Sequence, residues 1–139
     1  MKNCPFCSPE LNDRIIETNE SAQVFFSNPR LTKGHLLVTP KEHIEEPWGL
    51  SEAELTDIFS LIHKYQKLLT SGIGTGCDVK QNYRPFLPQG RLKVDHVHFY
   101  LIPRTLNDDL YERSQKFESD IFNDITTEEM KKVLKALSI

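Results

Sequence analysis

Residues 96–102, His96-Val97-His98-Phe99-Tyr100-Leu101-Ile102, alternate polar and apolar side chains before Pro103-Arg104 ends the run. Alternation with a period of two is the signature of a strand, in which successive side chains point to opposite faces. One face of a strand over Leu92–Ile102 therefore carries His96, His98 and Tyr100, and the other carries Val97, Phe99 and Leu101. Such a strand has to lie within a sheet, with its apolar side covered. Its other side then presents two imidazoles and a phenol in a row.

The rest of the chain supplies that sheet and its cover. Ile15–Thr18 and Ala22–Phe26 read as a hairpin around the turn-forming Asn19-Glu20-Ser21. Leu36–Thr39 is an apolar strand closed by Pro40, and residues 77–82 form another, followed by a proline-bearing loop to Gly90. Ser51-Glu52-Ala53-Glu54 is a capping box. Behind it Leu55, Ile58, Phe59, Ile62, Tyr65 and Leu69 recur at helical spacing, so an amphipathic helix runs to about Thr70, where Gly72, Gly74 and Gly76 stop it. A second cap at Thr126-Thr127-Glu128-Glu129 opens a C-terminal helix carrying Met130, Val133, Leu134 and Leu137. The class is α+β: an antiparallel sheet with a long helix packed on it and a C-terminal helix. At 139 residues one domain is expected, with residues 1–12 as an N-terminal segment and 105–139 as a C-terminal extension.

Seventeen Lys and Arg against twenty Asp and Glu, scattered along the chain, argue against a nucleic-acid polymer as partner. A local anion site remains compatible with that balance. No stretch has signal-peptide or membrane-span character, so cytoplasmic residence is expected. Three cysteines, Cys4, Cys7 and Cys77, do not make a disulfide framework. Cys4-Pro5-Phe6-Cys7 brings two thiols together, either as free thiols or as half of a metal site, and Cys77 reads as a small buried residue. Paired histidines on a strand are either coincidental, a metal-ligand pair or phosphorus nucleophiles, since a neutral imidazole can carry a transient phosphoryl group.

The whole run resembles the signature of the histidine triad family, in which three histidines alternate with apolar residues and are followed by Pro-Arg. The Cys-x-x-Cys start, Gly34-His35 before an apolar strand, and Pro40-Lys41-x-His43 match that family in register, and the resemblance extends from Cys4 to Arg104. It implies a five-stranded antiparallel sheet, a homodimer, and a nucleotide hydrolase or transferase acting on dinucleoside polyphosphates or nucleoside phosphoramidates. His98, at the middle triad position, is then the nucleophile toward the α-phosphate. Tyr100 holds the third triad position, and His35 joins the polar network as an orienting group. Cys4, Cys7, His43 and His96 are the implied ligands of a structural zinc, a set that leaves no open position. Asn82 is implied on the phosphate or ribose side of a purine nucleotide, with Ser27 or Asn28 at the ribose. Ile16 and Phe25 or Phe26 either cover the base or serve as core.

Two departures from that pattern matter. Tyr100 replaces the third histidine, and Pro88–Val94 replaces the family's Gly-Gln-Ser/Thr stretch. Related branches carry glutamine at the third position, so its loss does not abolish the chemistry. A phenol can donate a hydrogen bond but is a poorer acid than imidazolium near neutral pH, so slower turnover or a good leaving group follows. Arg84, Arg91 and Lys93 in the altered loop either contact a polyphosphate or are solvated charges. The other functions compatible with the residues are a nucleotide-binding module with little turnover and a zinc-stabilised interaction protein.

Overall fold

The computed structural model describes residues 3–139, which divide into a unit ending at Asp108 and a second spanning Asp109–Ile139. The first holds strands β1 (Ile15–Thr18), β2 (Ala22–Phe26), β3 (Leu36–Pro40), β4 (Gly76–Gln81) and β5 (Phe99–Arg104), with helix α1 (Glu52–Gly72) between β3 and β4. All neighbours pair antiparallel in the order β1-β2-β3-β5-β4, so the last strand inserts between β3 and β4. This is the α+β sheet that the alternation and the hairpin signal predict.

Local chemistry sets the ends of these elements. Asn19 closes the first hairpin, its Oδ1 accepting from the Ala22 N–H at 2.9 Å. The capping box at the start of α1 is complete: Ser51 Oγ accepts from Glu54 N at 3.1 Å, and Glu54 Oε1 accepts from Ser51 N at 2.9 Å. The helix stops at the glycines for a steric reason. A Cβ on Gly74 would lie 2.7 Å from the Arg104 carbonyl oxygen, so only glycine lets the chain turn that close to β5.

The pleat gives the sheet two unlike faces. Ala22, Val24, Leu36, Val38 and Leu101 pack against Ile58, Leu61, Ile62 and Leu69 of α1, with Val79 and Phe99 joining them. Phe25 and Leu37 point the other way and are covered by Cys4, Phe6 and Leu11 of the N-terminal segment, with Tyr100 and Val94 alongside. The helical stripe read from sequence is thus rotated slightly. Leu61 is core, whereas Leu55 and Phe59 are 39% and 38% exposed.

In the second unit, a π-helical turn (Tyr111–Gln115) and a short 3-10 turn (Glu118–Asp120) precede α2 (Thr127–Leu137), which Thr126 caps by accepting from Glu129 N at 3.1 Å. Met130, Val133, Leu134 and Leu137 of α2 are all exposed. No helix among the described residues is long and apolar enough to cross a membrane.

Ile58 has no exposed surface, whereas Leu55 one turn earlier is partly solvated. Urea unfolding should therefore show Ile58→Ala losing about 2–5 kcal/mol, from lost burial plus the cavity left behind, and Leu55→Ala under about 1.5 kcal/mol. Equal losses would contradict this packing.

Candidate active site

The histidine strand is shorter than its alternation suggests. Ladder pairing begins at Phe99, and residues 92–98 lie outside the sheet, which corrects the strand expected over 92–102. Other bonds take the place of the ladder. Val97 N donates to the Ile44 carbonyl at 2.7 Å, His96 Nε2 to the Pro40 carbonyl at 2.9 Å, and His98 Nδ1 to the His96 carbonyl at 2.7 Å. A loop partner, Ile44, has taken the place of a neighbouring strand here, and His96, Val97 and His98 are all buried.

The bond from His98 Nδ1 decides what that ring can do. A carbonyl oxygen only accepts, so Nδ1 carries the proton and Nε2 keeps its lone pair. Burial holds the His98 pKa below its ordinary value, against the opposing pull of the His96 carbonyl. His98 is 8% exposed and lines two cavities at once. A buried, neutral imidazole with a fixed tautomer and an open nitrogen is a nucleophile in waiting.

The larger cavity, about 760 Å³, is bordered by Glu45, Glu46, Gln81, Asn82, Lys93 and Asp95 as well as His98 and Tyr100. The smaller, about 360 Å³, is bordered by Phe6, Arg14, Ser27, Asn28, Leu31, His35 and Arg91, again with His98 and Tyr100. Ser27 and Asn28 therefore border one cavity and Asn82 the other. Arg84 and Lys93 line the larger, Arg91 the smaller. Ile16, Phe25 and Phe26 are not among the lining residues; Phe25 is fully buried in core. Phe6 was not singled out from sequence. Its ring meets His96 at 5.8 Å and His98 at 5.3 Å, and its place inside the Cys-x-x-Cys turn is the only signal that could have suggested this.

His35 and Tyr100 complete the row. Gly34 adopts φ +86°, the left-handed region open to glycine, and delivers His35 to the site-bearing face of the sheet. His35 Nδ1 accepts from the Leu31 N–H at 3.0 Å, so its proton sits on Nε2, which is buried and has no hydrogen-bond partner in the described protein. Burial, with smaller contributions from Lys80 and His98, lowers its pKa to about 4. The Tyr100 ring lies 5.1 Å from His35 edge to face and 5.3 Å from His98.

Four potential metal ligands converge beside this row. One donor atom from each of Cys4, Cys7, His43 and His96 lies within 4.8 Å of all the others. His96 Nδ1 is 3.4 Å from Cys4 Sγ and 3.6 Å from Cys7 Sγ, and His43 Nδ1 is 3.5 Å from Cys7 Sγ. Tetrahedral zinc, with bonds of about 2.3 Å to sulfur and about 2.0–2.1 Å to nitrogen, sets such donors about 3.5 Å apart. The outer nitrogens are held as a metal site requires, His96 Nε2 by Pro40 and His43 Nε2 by Glu45 Oε2 at 2.9 Å. Burial pushes the Cys4 thiol up to about 11 and His96 down to about 4, so a cation bound here would have to supply the stabilisation that keeps Cys4 as a thiolate, while His96 is already neutral.

Comparison with known proteins places this geometry. A family model described as HIT domain matches residues 8–107. Adenosine 5'-monophosphoramidase hnt1 of Schizosaccharomyces pombe is 35% identical over 109 residues, which cover 73% of this chain and 74% of that one. The asymmetrical bis(5'-nucleosyl)-tetraphosphatase of the same organism is 25% identical over 134 residues, covering 86% and 68%. The crystal structure of a HIT family member from Bacillus subtilis shares the fold with a TM-score of 0.73 at 24% identity, over 98% of this chain and 95% of that one.

The depressed His35 pKa makes stability depend on pH. The unfolded chain takes up a proton on His35 near pH 6.5 and the folded chain only near 4, so this residue's contribution is complete above about pH 6.5 and falls away as pH drops toward 4. Urea midpoints measured across that window should decline more steeply in the natural protein than in His35→Gln. Parallel curves would mean that His35 is not held neutral by folding.

Proposed function

Because the chain belongs to the HIT domain family, we propose that it is a nucleotide hydrolase that attacks the α-phosphate through a covalent nucleotidyl group on His98. The observation that carries this reading is the His98 tautomer. Its Nδ1 proton is committed to the His96 carbonyl, which leaves Nε2 unprotonated in a ring that borders both cavities. In the first step a bond forms from Nε2 to phosphorus as the bond to the leaving group breaks, its electron pair departing with that group. In the second, a water oxygen bonds to phosphorus and loses a proton to solvent as the P–N bond breaks, its electron pair returning to Nε2.

The activities named for the two Schizosaccharomyces pombe relatives support nucleoside phosphoramidates and dinucleoside polyphosphates as substrate classes. The nucleoside occupies the smaller cavity, with Ser27 and Asn28 at its ribose, and the departing half occupies the larger, with Asn82 on the phosphate side. A volume of about 760 Å³ suits a bulky second half such as another nucleotide. Tyr100 offers its hydroxyl, which makes no hydrogen bond among the described residues, to a phosphoryl oxygen. His35 keeps its Nε2 proton and orients the same group. Zinc on Cys4, Cys7, His43 and His96 is structural: it holds the N-terminal segment, with Phe6, against His98 and takes no part in either step. A homodimer and cytoplasmic residence accompany this reading.

Turnover of diadenosine tetraphosphate and of adenosine 5'-phosphoramidate by the natural protein and His98→Asn tests the proposal. Activity on at least one substrate should fall by a factor on the order of 10³ or more in the variant, as expected when a covalent route is removed. Equal activity in both proteins, or inertness of the natural protein toward both substrates, would refute it. Elemental analysis should find one zinc per chain, and Cys7→Ser should lose the metal and unfold at lower temperature. A metal-free protein with an unchanged unfolding midpoint would remove the zinc.

A further inference from the structure

Lys80 of β4 is paired directly with Tyr100 of β5. Residues opposite one another on neighbouring strands project to the same face. Val79 goes to the α1 side, so Lys80 rises on the side that carries His98. Its ammonium lies 5.2 Å from the centre of the Tyr100 ring. Among the described residues its ammonium makes no hydrogen bond and no ion pair, and Asp78, two residues along the same strand, is engaged by Arg104 at 2.7 Å.

A buried, unsatisfied donor borders the same ring. His35 Nε2–H is buried without a partner, and its ring is 5.1 Å from that of Tyr100. His98 stands at 5.3 Å from Tyr100. A cation without a counter-charge and a buried N–H without an acceptor, both beside one phenol, make a place that an anion completes. The lowered His35 pKa, to which Lys80 contributes, is consistent with positive potential there.

We propose that Lys80 is the phosphoryl-binding cation of this site, supplying from the neighbouring strand the positive charge that Tyr100 cannot. This rests on the hydrolase reading for the identity of the anion, a nucleotide α-phosphate. The four-carbon stem lets the ammonium swing from the ring face to a non-bridging oxygen. As the bond from His98 Nε2 to phosphorus forms and the leaving bond breaks, Lys80 stabilises the charge on those oxygens and keeps all three of its protons. Tyr100 keeps its own, so leaving groups that depart as stable anions are favoured.

Calorimetric binding of AMP and of adenosine to the natural protein, Lys80→Met and Lys80→Arg tests this, together with turnover of diadenosine tetraphosphate. Lys80→Met should bind AMP about tenfold more weakly and adenosine equally well, Lys80→Arg should return AMP affinity to within about threefold, and kcat in Lys80→Met should fall more than KM rises. AMP affinity unchanged in Lys80→Met, or AMP and adenosine weakened alike, overturns the assignment. The two readings fail separately. A hydrolase indifferent to Lys80 loses only the lysine, whereas a protein inert toward dinucleotides that still needs Lys80 for AMP loses only the hydrolase.

Discussion

Everything at the site depends on a hydrogen bond within one short segment, from His98 Nδ1 to the His96 carbonyl. It exists because β5 does not begin until Phe99. Within a ladder that carbonyl would face a neighbouring strand; outside it, the carbonyl is free to accept from a ring two residues on. The same release lets His96 reach the cysteine pair and tie its Nε2 to Pro40. One segment thereby serves two sites. The sheet fixes where it starts, and the metal-ligand cluster fixes where it points.

The sheet's two faces divide the labour. The face against α1 is apolar and fully packed, with Val24, Val38, Ile58 and Leu101 all without exposed surface, so it sets stability and leaves no room for chemistry. The opposite face is only partly covered, by a short N-terminal segment. There the pleat leaves polar side chains where a ligand can reach them. Buried histidines on this face stay neutral because low polarity disfavours the imidazolium form. A rigid apolar layer behind and a partly open polar layer in front is how a small sheet positions reactive groups without losing its core.

Much of this was legible in the residues. The hairpin, the capped helix and a histidine strand lying within the sheet follow from alternation, helical spacing and turn chemistry, whereas the insertion of that strand between β3 and β4 does not. The metal-ligand set followed from the family resemblance, and its four members do converge. What was hidden depends on pairings distant in sequence. The start of β5 depends on Val97 bonding to Ile44, which no local pattern encodes. The rotation of the helical stripe toward Leu61 depends on how α1 seats on the sheet. Lys80 has no motif of its own and gains meaning only from standing opposite Tyr100, a register that sequence leaves open. Phe6 was concealed inside a motif read for its cysteines alone.

In the proposed route water never attacks the nucleotide directly, because His98 does so first. The stereochemical course at phosphorus tests it without requiring the intermediate to accumulate. A diadenosine polyphosphate with a chiral phosphorothioate at the α-position, hydrolysed in isotopically labelled water, reports the number of displacements. Each in-line displacement inverts the centre, so two in succession through His98 give net retention. Net inversion, a single direct displacement by water, would contradict the account.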